Sequence, residues 1–135
     1  MTTNESELEA QLAQFSGSEQ WYRALGSLRF TEGVKYLADE AQAYWLIDAI
    51  ASYQPELARR VSGFSGEPGI EFQVWFLRVD RDRGSAVLTC QEDWDEDEPK
   101  VFPEIVRQEI PYTDFPLGLI RLYCEHQTLM LPNER

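Results

Sequence analysis

A chain of 135 residues with 24 acidic and 12 basic side chains, net charge -12, is excluded from holding nucleic acid by its phosphates, since that contact needs Lys and Arg to displace condensed counterions. The length suits one domain that buries roughly two-thirds of its unfolded surface, and four Trp, six Tyr and seven Phe argue against disorder. No apolar run approaches the roughly 18 residues of a membrane span, and the acidic start lacks the cationic and apolar parts of a secretory signal, so the expected location is cytoplasmic.

Residues 1–15 read as an N-terminal helix or tail. Leu8, Leu12 and Phe15 make one apolar stripe, and Glu5, Glu7 and Glu9 lie near its start, where the helix dipole favours carboxylates. Ser16-Gly17-Ser18 ends it. Trp21 and Tyr22 follow, expected in the core, with an exposed aromatic surface as the alternative.

Leu28–Phe30 and Val34–Leu37 flank Thr31-Glu32-Gly33 and read as a small hairpin; a helix over Glu32–Glu40 is the alternative. Ala41–Gln54 predicts a helix that is apolar on most sides, N-capped by Asp39 and closed by Pro55, lying deep against a sheet. Asp48 inside it is the single carboxylate that invites a catalytic reading, although a satisfied structural acid is the commoner outcome. Glu56–Val61 continues as a short helix and 62–69 as a loop.

From Ile70 the period changes to alternation. Phe72, Val74 and Phe76 face one way, Gln73, Trp75 and Leu77 the other; Asp80–Gly84 turns, and Ser85–Gln91 returns as a strand. Cys90 here and Cys124 further on sit in apolar stretches and read as buried, reduced thiols. Six acids in seven residues then follow: Glu92, Asp93, Asp95, Glu96, Asp97 and Glu98, interrupted by Trp94. This acidic loop, taken as 92–100, supplies half of the net charge, while the chain outside it and outside the first 20 residues is nearly neutral.

Val101–Tyr112 predicts a third strand with Val106, Ile110 and Tyr112 inward, Arg107 and Glu109 outward, and Pro103 and Pro111 at its ends. Thr113 or Asp114 reads as the cap of a last helix with Leu119, Leu122 and Tyr123 on one face, and Gln127–Leu131 as a final strand. The sum is a single α+β domain over 1–135, an antiparallel sheet of about four to six strands with helices packed on one face.

Motifs for chemistry are sparse. His126 has no second His or Cys at ligand spacing; Cys124 and His126 diverge if helical; Gly63, Gly66 and Gly69 lack the strand and helix of a phosphate-binding loop. The acidic loop has no Gly where a calcium loop must bend. The expectation is no catalytic residue, no metal and no cofactor, so not an enzyme.

Several strings are similar to those of a family of uncharacterised bacterial and mobile-element proteins of this length, known only as a domain of unknown function. They are Ser16–Arg23, Thr31–Ala38, Ala43–Gln54, Tyr112–Leu117 and Leu129–Pro132. The resemblance spans the chain and brings no activity, cofactor or catalytic residue. Its association with mobile elements implies a role in conflict between phage and host. The acidic loop lies outside the shared pattern.

Two functions follow as expectations. The first is an acidic inhibitor, of anti-CRISPR or anti-restriction type, whose Glu92, Asp93, Asp95, Glu96, Asp97 and Glu98 occupy a basic surface of a nucleic-acid-binding protein; it is a local plug more than a whole-surface DNA mimic. The second is a non-catalytic module that takes a small ligand or a protein in an aromatic cleft, with Trp21, Tyr22 and Trp94 as the exposed aromatic surface, or Tyr44 and Trp75 as further walls. The oligomeric state stays open.

Overall fold

The structure, a computed structural model, describes residues 5–63, 65–92 and 104–135. Asp93, Trp94, Asp95, Glu96, Asp97 and Glu98 lie outside the described residues. A seven-stranded sheet runs β1-β2-β7-β6-β3-β4-β5. Its strands are β1 (Trp21–Arg23), β2 (Arg29–Thr31), β3 (Phe72–Asp80), β4 (Ser85–Gln91), β5 (Glu104–Ile110), β6 (Leu119–Glu125) and β7 (Thr128–Met130). The helices are α1 (Glu5–Leu12), α2 (Glu32–Ala41), α3 (Tyr44–Ser52) and α4 (Gln54–Arg59), and a 3-10 turn, η1, covers Pro132–Glu134. The sheet has seven strands, more than the four to six expected, and it is mixed, because β2 pairs parallel with β7.

Two segments change class, each for a local reason. Thr31–Ala38 forms no hairpin; the alternative, a helix over Glu32–Glu40, is the one found, as α2. Thr31 is the N-cap of α2, its hydroxyl accepting the Val34 N–H at 3.3 Å, and Val34, Leu37, Ala38 and Ala41 recur at helical spacing and are buried. Asp39 therefore lies inside α2 and caps nothing; Gln42 in the left-handed conformation, φ 51, ends that helix before α3 begins. The second change is Leu119–Glu125, expected as a helix. It is a strand whose Leu122 and Cys124 point inward at 1% and 0% exposure, and it completes the free edge of β3 along seven residue pairs from Phe72↔Glu125 to Arg78↔Leu119. Pro116 and Gly118 in front of it disfavour a helix start, and the alternation of Ile120, Leu122 and Cys124 with Arg121, Tyr123 and Glu125 fits a half-buried strand.

The core lies between the sheet and the helices. Trp75, Leu77, Leu88, Cys90, Leu122 and Leu129 from the sheet meet Leu37, Leu46, Ile47, Ile50 and Leu57 from the helices, in one buried cluster. Each such side chain contributes about 1.5–3 kcal/mol by leaving water. Cys90 and Cys124 are free and buried, as expected. Tyr112, expected inward, is 87% exposed, because the ladder ends at Ile110 and Pro111 cannot extend it.

A polar network crosses this core. Gln54 and Gln73 exchange side-chain amide hydrogen bonds at 2.9 and 2.8 Å. Trp75 Nε1 donates to Gln73 Oε1 at 2.9 Å and Gln127 Nε2 to Gln54 Oε1 at 2.9 Å. Buried amides need such partners, and this set ties α4, β3 and the β6–β7 turn together.

Candidate functional site

The β6–β7 connection is two residues long, His126 and Gln127, and both have positive φ, 50° and 62°. Hairpin turns of that length favour this hand but normally use Asn or Gly. Here the conformation is fixed from outside. The His126 N–H donates to the Glu71 carbonyl at 3.2 Å, and the Arg29 N–H donates to the Gln127 carbonyl at 2.8 Å. Ser27 Oγ donates to Gln127 Oε1 at 2.9 Å. A strained turn that is over-determined in this way marks a candidate site.

His126 opens on a cleft of about 500 Å³ on the side of the sheet away from the helices, lined also by Trp21, Arg29, Glu125, Thr128 and Met130. The pairing explains the grouping: Trp21 lies opposite Thr31, Arg29 opposite Thr128, and Thr128 opposite Glu125, so one face of four strands contributes. Trp21 is 52% exposed. Arg29 Nη2 donates to the Thr128 hydroxyl at 3.3 Å. Glu125 is already engaged, with Arg135 Nε at 3.0 Å, and the Arg135 guanidinium lies 4.1 Å from the centre of the Phe72 ring.

On the far side of Phe72 lies a second depression of about 440 Å³, to which Glu67, Glu71 and Glu92 contribute and Lys and Arg do not. Glu92 is the first residue of the acidic run. Its carboxylate accepts the Ser62 hydroxyl and the Gly63 N–H, the latter at 2.9 Å. The two depressions adjoin, since Phe72 pairs with Glu125. One end of the sheet thus combines an exposed indole with a cluster of carboxylates.

Residues 6–135 match the model of a family of unknown function, DUF6876. The chain belongs to that family. No curated protein and no solved structure matches. In this DUF6876 chain the other expected site residues are dispersed. Tyr22 follows Trp21 in β1 and so points to the opposite face, toward the helices, where it stacks on Phe30 at 5.6 Å. Trp75 is 1% exposed and belongs to the core. Tyr44 is 43% exposed on α3, with its hydroxyl donated to Asp39. Trp21, Tyr22, Tyr44 and Trp75 therefore do not form one cleft.

The Tyr44 contact belongs to a polarised surface cluster. Lys35 Nζ lies 2.7 Å from the Asp39 carboxylate; hydrogen bonds from Lys35 and then Tyr44 hold the Asp39 carboxyl below its usual range. The Asp39 bond in turn raises Lys35 and Tyr44 above theirs. Asp48 is exposed on α3 and lines neither depression, so the structure gives no support to the catalytic reading of it. His126 is a surface residue, as expected, but sits in a turn instead of on a helix. Among the described residues no group of His, Cys, Asp and Glu is placed to hold a metal ion, and no helix is long and apolar enough to cross a membrane.

Sequence reasoning missed Arg29, Glu67, Glu71 and Gln127, and also Glu134, which lines the first cleft. One signal was available for the turn: His126-Gln127 separates two alternating stretches by the two residues of a tight hairpin.

Proposed function

We propose that this protein works by binding, and that it docks this end of its sheet on a cationic surface of a partner protein. The observation that carries the reading is the convergence of Glu67, Glu71 and Glu92 on one depression without Lys or Arg, at the point where the chain enters its six-acid run. Carboxylates gathered in this way steer a basic partner and reject phosphate. The exposed Trp21, in the separate cleft across β2, β7 and β6 from them, supplies the kind of apolar anchor on which interface energy concentrates. A nucleic-acid-binding protein is the partner class that offers such a surface, and blocking that surface makes the chain an inhibitor, of the anti-CRISPR or anti-restriction kind, in keeping with the mobile-element resemblance.

The test is a binding screen against basic nucleic-acid-handling proteins at low and raised salt. Affinity should fall with ionic strength, fall when the acids from Glu92 to Glu98 are replaced by Asn and Gln, and fall separately in Trp21→Ala. Binding that is indifferent to salt and to all these replacements would overturn the reading.

A second reading is favoured by one contact. Arg29 meets Thr128 and, among the described residues, no carboxylate, while Trp21 stands exposed across the same cleft. That pairing suits a small anionic ligand with an aromatic body. A panel of aromatic carboxylates and phosphates, followed by NMR shifts in β1, β2 and β7 that vanish in Arg29→Gln, distinguishes it from the first.

A further inference from the structure

β5 is the outer strand of the sheet; β4 lies on one side of it and, among the described residues, no strand on the other. Residues of an antiparallel ladder alternate between neighbours, so the backbone groups that β5 spends on β4 can be assigned. Val79 of β3 sends its N–H away from β4, to the Gly118 carbonyl beside β6. Its partner Ala86 therefore turns toward β5, as do Leu88 and Cys90, and the β5 residues bonded to β4 are their partners Ile110, Gln108 and Val106. Ile105, Arg107 and Glu109 point outward. One contact agrees with this assignment: Arg60 Nη1 reaches the Ile105 carbonyl from outside the ladder at 3.3 Å. Among the described residues, Arg107 and Glu109 are left as the edge residues with unspent N–H and C=O groups.

We propose that β5 pairs antiparallel with β5 of a second copy of this chain, about a two-fold axis at Gln108. In that register Arg107 lies opposite Glu109 of the other copy. The two exchange both backbone hydrogen bonds, and their side chains, on one face, form an opposite-charge pair. Val106 lies opposite Ile110, an apolar pair on the helix side. The neighbouring registers are disfavoured: an axis at Arg107 or at Glu109 sets like charges face to face, and an axis at Val106 needs the Ile105 carbonyl that Arg60 occupies. Pro111, opposite Ile105, has no N–H to offer, so the pairing stops there. Glu109 makes no ion pair among the described residues, and Arg107 reaches only Glu104, at 3.2 Å on the same exposed strand. Both are available for exchange.

The experiment is the solution mass of the full chain by sedimentation over a concentration series at physiological salt. The expected result is reversible association to twice the 15.7 kDa chain mass. Arg107→Glu and Glu109→Arg should each weaken it about tenfold, since two symmetry-related like-charge pairs arise, and the double exchange should restore it. The double variant and the solvent-facing Glu109→Arg guard against a folding defect. Gln108→Cys should form a disulfide-linked dimer on mild oxidation, because residues facing each other across a non-hydrogen-bonded pair lie within disulfide distance, while Cys90 and Cys124 stay buried. A chain that remains monomeric overturns the proposal. So does a dimer that ignores the single charge reversals or fails to cross-link through residue 108.

Discussion

The carboxylate of Glu134 closes the N-terminus of α2, where its Oε2 accepts the Gly33 N–H at 3.2 Å. Its Oε1 accepts the Thr31 hydroxyl at 2.6 Å and the Leu131 N–H at 3.0 Å. Residues at opposite ends of the chain thus satisfy the orphan donors of one helix start. The same C-terminal turn holds α1, through Asn133 Nδ2 and the Leu12 carbonyl at 3.3 Å.

Gly33 is the residue this arrangement cannot change. A Cβ there would lie 2.5 Å from Glu134 Oε1 and 2.6 Å from Leu131 Cδ1; Glu134 is tied by its hydrogen bonds and Leu131 is buried. Gly33→Ala should therefore destabilise by about 1–3 kcal/mol, read from urea unfolding. Adding Glu134→Ala should not restore stability, since the Leu131 clash persists and the cap is lost.

The Gln54–Gln73 pair should behave as a unit. Gln73→Leu strips the Trp75 N–H of its partner and takes two hydrogen bonds from the Gln54 amide, which keeps the Ile50 carbonyl and Gln127, at a cost on the order of 2 kcal/mol. In a double-mutant cycle with Gln54→Leu, the two losses should be less than additive by about 1 kcal/mol or more. Additive losses in thermal or urea unfolding would show that the network is not cooperative.

Burial pushes the Cys124 thiol up to about 12 and raises Cys90 well above its ordinary value of 9.0. A group whose pKa is raised in the folded state stabilises fully below its unfolded value and loses that contribution as pH climbs toward the folded value. Stability should therefore decline as pH rises above 9, by up to about 1.4 kcal/mol per unit for each thiol, with a shallower decline in Cys124→Ala. Below pH 8 neither thiol should react with a disulfide-exchange reagent until urea is added.

Where a segment's own pattern was strong, it was legible in the sequence. The β3–β4 hairpin, β7 and α4 appear within a few residues of their expected places, because alternation and the apolar helical period are properties of the segment itself. Thr31-Glu32-Gly33 reads as a turn before it reads as a helix start because Gly33 resembles a turn glycine, and the helix stands only as the alternative; the real constraint on Gly33 is the approach of Glu134, about a hundred residues away. Leu119–Glu125 carries apolar residues at both periods; Pro116 and Gly118 lean against a helix, and the vacant edge of β3 completes the choice of a strand. In the candidate site, Glu92 and Trp21 could be named from the sequence. Glu67, Glu71 and Arg29 could not, since nothing near them in the chain announces that strand pairing and the His126-Gln127 turn bring them to the same end of the sheet.

The amino-acid order by itself determined an α+β chain, the concentration of its charge in a short run, and buried thiols, all of which depend on composition and short-range period. Only the tertiary structure decided that the sheet is mixed, that Trp21 faces water while Tyr22 faces the helices, and that Asp48 lies at the surface. Those outcomes depend on which strand completes which edge, a competition among distant segments for backbone hydrogen bonds and apolar cover that no local window contains.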